Sequence, residues 1–272
     1  MRKKLMLLFL SLVVVAIIST YVLVFHISHG LVVGAIFVFW IAIMMGITFG
    51  LVSRYQKQMG DVLALQQASV SALVDLAEMH DKNVTGAHLN RLGFYAEILA
   101  EDLGLPIDLQ QNIVSTISLH DIGKVGIPDQ ILNKPGPLDY TEWELVQQHP
   151  ERGYAVLQSL TQDMNMVDPK IIQYLVTAQE IALSHHERWD GSGYPQGLKG
   201  EEIPISARVA AVCDVYDSLR SPRPYKRPFS HQEAVAIINS GRGTHFDPNL
   251  IDSFMRTAHH FATVWEQYGE ST

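Results

Sequence analysis

Ile113-Val114-Ser115-Thr116-Ile117-Ser118-Leu119-His120-Asp121-Ile122-Gly123-Lys124 is an apolar run at helical spacing that ends on two side chains able to bind a metal. Ile181-Ala182-Leu183 leads in the same way into His185-His186. Imidazole and carboxylate groups on apolar helix faces are expensive to bury singly. Converging on shared cations would remove that cost. His88, His149 and Asp214 lie on three further helical runs, so the candidates come from five helices. Imidazole plus carboxylate without thiolate suits iron, manganese or zinc, and a bridging aspartate suits a two-metal site. Any one of these residues alone has an ordinary reading as a hydrogen-bonded core or surface group. The ordered set carries the argument.

Working outward, apolar runs of 3.6-residue period recur near 86–103, 107–121, 140–160, 168–186, 205–220, 231–240 and 247–262. Breakers separate them: Gly104 and Pro106, Pro128, Pro135-Gly136-Pro137, the 190–204 stretch, Pro222 to Pro228, and Gly241 to Gly243. No alternating strand pattern of any length competes. The expectation is an all-α domain without internal repeats.

His120-Asp121-Ile122-Gly123-Lys124-Val125-Gly126-Ile127-Pro128-Asp129 and His185-His186-Glu187-Arg188-Trp189-Asp190-Gly191-Ser192-Gly193-Tyr194-Pro195 resemble the two signature stretches of the HD-GYP family, a branch of the HD-domain metal-dependent phosphohydrolases. The likeness runs from about Leu73 to Phe254. It includes Lys134-Pro135-Gly136, His149-Pro150, Arg223-Pro224-Tyr225-Lys226 and Gly243-Thr244-His245-Phe246-Asp247-Pro248. It implies an HD-domain helical bundle that hydrolyses cyclic di-GMP to linear pGpG, and often on to GMP.

Residue by residue, the resemblance implies His88, His120, Asp121, His149, His185, His186 and Asp214 as metal ligands. Members with a third metal resemble Glu-x-x-x-His at the first histidine. Here Val84 stands four residues before His88, so two divalent ions are expected, iron or manganese. A hydroxide bridging them would attack phosphorus in line with the departing 3′ oxygen, with Asp121 bridging the metals. The histidines must be neutral to ligate, so activity should fall in acid.

Lys124 is the implied second catalytic residue, facing the scissile phosphate. Its plain alternative is a helix-terminal cation. Arg223 and Lys226 resemble nucleotide-phosphate contacts, and Tyr225 is suited to stacking on a guanine. A solvated basic loop is the other reading of all three. The Asp190 to Pro195 loop reads as a turn at the site rim, braced by Arg188, Trp189 and Asp190. Between His149 and His185 lie 35 residues, and the Thr161 to Lys170 stretch reads as an enlarged loop.

The first 60 residues hold Arg2, Lys3, Lys4, Arg54 and Lys57 and no acidic residue. Leu5 to Phe25 and Leu31 to Ser53 are uncharged runs of 21 and 23 residues, each long enough to cross a hydrocarbon core of about 30 Å. Only His26-Ile27-Ser28-His29-Gly30 separates them. A cleaved signal peptide would show a shorter apolar core and a small-residue cleavage site. The expectation is a two-helix transmembrane hairpin over 1–55. Basic residues flank only its outer ends, which puts both termini in the cytoplasm; the resemblance implies the inner membrane of a bacterium. Residues 56–80 read as a connecting helix, followed by a catalytic domain over 73–262. Leu63, Val70 and Ala77 are seven apart, which suits either a homodimer seam or packing on the same domain.

Of the 272 residues, 47% are apolar and 18% charged, too apolar for disorder. One cysteine excludes an internal disulfide framework or a multi-cysteine zinc site. Residues 61–272 carry 15 basic and 28 acidic side chains, a balance of −13 that argues against DNA or RNA as a partner. Two alternatives stay beside the phosphodiesterase reading. One is an HD hydrolase of another cyclic nucleotide. The other is a non-catalytic sensor of cyclic di-GMP or partner-docking module.

Overall fold

The computed structural model describes residues 2–26, 30–79, 86–160, 169–222 and 227–269. Eleven α-helices are found among them: α1 (Arg2–His26), α2 (Gly30–Met79), α3 (Gly86–Asp102), α4 (Ile107–Thr116), α5 (Asp129–Leu132), α6 (Tyr140–Val146), α7 (His149–Ser159), α8 (Pro169–Ser184), α9 (Ile205–Arg220), α10 (His231–Ser240) and α11 (Pro248–Tyr268). Apart from one isolated bridge between Arg242 and Phe246, the described residues contain no β-structure. The chain divides into two compact units, Met1–Ser69 and Val70–Thr272.

In the first unit, Val32–Gln58 is long and apolar enough to cross a membrane. Ser11–Leu23 is a shorter apolar stretch within α1, which runs from Arg2 to His26. One of the two expected spans is therefore found at full length, and the hairpin rests on the sequence pattern. Residues 27–29 of the turn lie outside the described residues, as do the side chains of Leu63, Val70 and Ala77.

The second unit is built around α3, which packs against α4, α9 and α11, while α8 packs against α4, α7 and α9. Their apolar faces meet in one main core. Tyr95 of α3 stacks on Phe261 of α11 at 4.5 Å, and Tyr216 of α9 meets both edge-on at 5.2 and 5.1 Å. Each such fully buried ring contributes on the order of 1.5–3 kcal/mol. A smaller cluster of Leu119, Leu157, Ala178 and Ala182 lies under the turn at 122–126. Asp139, Ser230 and Asp247 cap α6, α10 and α11 through side-chain oxygens, as the breaker pattern implies.

Two helical runs are interrupted where the sequence reading kept them whole. The 107–121 run leaves α-helix at Thr116 and continues as two 3-10 turns, Ile117–Leu119 and Ile122–Gly126. The 140–160 run is two helices, broken at Gln147-Gln148. Pro150 explains the second break. It has no N–H for the Val146 carbonyl, and its ring disfavours a preceding helical turn.

Candidate metal centre

Both interruptions serve the site. The freed Val146 carbonyl accepts a hydrogen bond from His149 Nδ1 at 2.7 Å. Between the two 3-10 turns, Asp121 takes a non-helical backbone conformation. Consecutive residues His120 and Asp121 thereby reach the same cluster. Gly123 permits the fit: a Cβ there would overlap the His149 carbonyl and the Gly153 amide. The turn carrying Asp121 can lie directly on α7 only because that atom is missing.

The seven expected ligands come together in two groups. Asp121, His149, His185 and His186 offer one set of ligand atoms, and His88, His120 and Asp214 the other, each set lying within 4.8 Å. Asp121 faces both. Its Oδ1 lies 3.2 Å from His149 Nε2 and 3.7 Å from His185 Nε2, and its Oδ2 lies 3.1 Å from His120 Nε2. Asp214 Oδ1 stands 3.9 Å from Nε2 of both His88 and His120.

The donor set fits divalent metal ions. His120, His149 and His185 each donate Nδ1–H to a backbone carbonyl, of Ile117, Val146 and Ile181. That orients each ring and turns each Nε2 into the cluster, where it is a lone pair whenever the imidazole is neutral. Nε2 of His149 and His185 then confront each other at 3.4 Å as two lone pairs, an arrangement that only a cation between or beside them makes favourable. His120 Nε2 and Asp121 Oδ1 are buried without a hydrogen-bond partner, and His120 Nε2 stands 3.1 Å from Asp121 Oδ2.

Electrostatics separate the imidazoles. Burial, reinforced by the neighbouring His149, pushes His186 down to about 4. Burial also holds His185 well below the usual imidazole range, with His186 and His120 adding to it. For His120, burial acts downward, but the Asp121 carboxylate outweighs it and lifts the group to about 9. Burial would raise Asp121, yet the Lys124 ammonium and His120 keep it well below the carboxylate range.

Lys124 occupies the second 3-10 turn, three residues after Asp121, and its Nζ lies 2.7 Å from Asp121 Oδ2. Residues three apart eclipse in such a turn, so the lysine is held at the cluster without a continuing α-helix. Val84, Arg223, Tyr225 and Lys226 lie outside the described residues, as does 161–168 of the enlarged loop. Their expected roles stay sequence readings.

The glycine-rich loop forms the rim. Tyr194 stacks on His186 at 4.8 Å, and the Tyr194–Pro195 peptide is cis. Asp190 accepts hydrogen bonds from the Ser192 amide and hydroxyl, Arg188 donates to the same hydroxyl, and the Trp189 amide donates to the His245 carbonyl. The deeper brace is Glu187. Buried at 2% exposure, it accepts from the amides of Gln196, Gly197 and Leu198 at 2.7–3.1 Å.

Three residues that brace the cluster or its rim went unassigned in the sequence reading: Glu187, Arg91 and Asp217. Asp217 Oδ2 lies 2.6 Å from His88 Nδ1. The available signal was spacing, since Asp217 follows Asp214 by three residues and Arg91 follows His88 by three, one helical face in each case.

Known proteins resemble this chain in sequence and in fold. The profile of a family described as HD domain matches residues 71–250. The chain is 41% identical over 222 residues to a probable cyclic di-GMP phosphodiesterase of Vibrio cholerae, covering 79% of this chain and 49% of that protein. It is 38% identical to the cyclic di-GMP phosphodiesterase response regulator RpfG of Xanthomonas campestris (75% of this chain, 51% of that one). It is 37% identical to 3'3'-cGAMP-specific phosphodiesterase 2 of Vibrio cholerae (79% and 39%). The chain thus spans about half the length, or less, of these curated relatives. A crystal structure of a cyclic GMP-AMP specific phosphodiesterase of Vibrio cholerae superposes with a TM-score of 0.51 at 19% identity, over 74% of this chain and 51% of that one, a likeness of fold. With the helical architecture, the His-Asp cluster and a family match across two thirds of its length, the chain belongs to the HD domain family.

Proposed function

We propose that this chain is a membrane-anchored, metal-dependent phosphodiesterase of the HD-GYP branch, hydrolysing cyclic di-GMP to pGpG and on to GMP. One observation carries the reading: two ligand groups meet across Asp121, whose two carboxylate oxygens face different groups. Iron or manganese at the two positions would supply a water of lowered pKa and neutralise phosphate charge. Asp121 is suited to bridge the pair. Lys124, beside Asp121 Oδ2, is suited to stabilise charge developing on the scissile phosphate. Tyr194 and the loop held by Glu187 shape the rim and exclude water. Arg223, Lys226 and Tyr225 complete the proposed substrate contacts, the first two at phosphate and the third at a base.

The proposed organisation is a hairpin over 1–55, a connecting helix over 56–80 and a catalytic domain over 73–262. Residues 1–55 anchor the chain in the bacterial inner membrane with both termini in the cytoplasm, and the connecting helix supports a homodimer. The apolar helix Val32–Gln58, which exposes Phe39, Trp40 and Phe49, supports the anchoring. The relatives named for 3'3'-cGAMP favour a second reading, in which the mixed dinucleotide is the better substrate.

The test is hydrolysis by the full chain in detergent, loaded with manganese or ferrous iron, beside Asp121→Ala. Turnover of cyclic di-GMP lost in the variant supports the proposal. Faster turnover of 3'3'-cGAMP selects the second reading. Tight nucleotide binding without turnover makes the chain a sensor.

A further inference from the structure

We propose that Arg91 and Asp217 form a positioning pair that sets the orientation of His88, and that the end of α11 locks this pair, so that the C-terminal helix governs the metal position formed by His88, His120 and Asp214. This rests on the metal-binding reading above.

His88 differs from the other anchored histidines. His120, His149 and His185 each hold Nδ1 on a carbonyl three or four residues earlier. His88 sits two residues from the start of α3, so no carbonyl of its own helix stands behind it. Its Nδ1 goes instead to Asp217 on α9, at 2.6 Å. A carboxylate behind a ligating imidazole fixes its ring and raises its basicity. Asp217 is fully buried and cannot turn freely, because Arg91 grips both its oxygens, through Nε at 2.6 Å and Nη2 at 2.8 Å. Arg91 is held in turn. Its Nη1 donates to the Tyr268 carbonyl at 3.1 Å, the Trp265 ring covers its face at 4.6 Å, and Tyr268 stacks on Phe94. The order of dependence runs from the last turn of α11 to Arg91, to Asp217, to His88. A pair serving stability alone would not need the imidazole as its third member.

The experiment measures manganese bound by the full chain in detergent, after stripping and reloading, by elemental mass spectrometry and by titration. The wild type should bind two ions per chain. Asp217→Asn, Trp265→Ala and a chain ending at Gln267 should each keep one ion at wild-type affinity and bind the other about 10–100-fold more weakly. His88→Ala gives the reference for outright loss of that position. Arg91→Lys keeps the charge but not the fork, and should weaken the same ion. Two ions at unchanged affinity in all variants, even with a lowered Tm, overturns the positioning role. Should Asp217→Asn fail to fold with Arg91 unpaired, the Trp265→Ala and shortened chains decide alone, since both leave the pair itself intact. A wild type that binds no manganese overturns the metal reading first, and this inference with it.

Discussion

Lys124 Nζ lies 2.7 Å from Asp121 Oδ2, so a cation of the chain itself neutralises the carboxylate that joins the two ligand groups. The lysine is therefore close to the proposed reacting centre without belonging to the donor set. Lys124→Met should cost about 10²–10³-fold in kcat, the usual loss when one charge-stabilising donor is removed. Bound manganese should not fall. A parallel loss of metal would move Lys124 from the reaction to the upkeep of the site.

The raised His120 gives metal loading a pH signature. With its pKa at about 9, His120 carries a proton at neutral pH, and that proton must leave before Nε2 can ligate. His186, at about 4, and His185, lower than usual, are already neutral there. Manganese affinity should therefore rise with pH by about one decade per unit from 7 towards 9 and flatten above it. Titrations in buffers of different ionisation enthalpy report the released proton directly. Affinity independent of pH across that range would contradict the assignment.

Gly123→Ala places a methyl group against the His149 carbonyl and the Gly153 amide. Neither backbone atom can swing aside as a flexible side chain would. The expected cost is about 1–3 kcal/mol of stability, which lowers Tm by several degrees. Because the displaced turn carries Asp121 and Lys124, turnover should drop further than stability alone explains. Thermal unfolding and kcat measured on the same preparation test the two effects together.

Glu187→Gln replaces a buried acceptor of three amide hydrogen bonds with a group that also carries N–H. Donor would then face donor. A loss of about 1–3 kcal/mol is expected, confined to the loop bearing Tyr194. Hydrogen exchange at Gln196, Gly197 and Leu198 should speed up while the α3 and α9 amides stay protected. Uniform acceleration across the domain would instead mean global destabilisation.

Helix positions and the seven clustered side chains were legible because both depend on short-range pattern: apolar period, breakers, and ligating residues at helix ends. The split at Gln147-Gln148 was written in Pro150, but the apolar period on either side masks a missing N–H. Asp217 and Arg91 were not legible as partners. Their contact joins positions 126 residues apart, and a buried ion pair leaves no periodic trace in the chain. Glu187 stood in a quoted motif, yet its role depends on the loop folding back to offer three amides to one carboxylate. Of the two apolar runs, Val32–Gln58 is long and apolar enough to cross a membrane among the described residues, and the first run lies within α1.

The carbonyl anchors behind His120, His149 and His185 have a bearing on how the protein would acquire its ions. They are local, lying within one turn of each ring, and are satisfied whichever ion arrives. Imidazole and carboxylate donors are shared by neighbouring first-row metals, so ligand type in this cradle does not by itself separate iron from manganese. The choice between iron and manganese then passes from the polypeptide to its surroundings: the trace-element supply during growth would set the ion inventory of the purified protein.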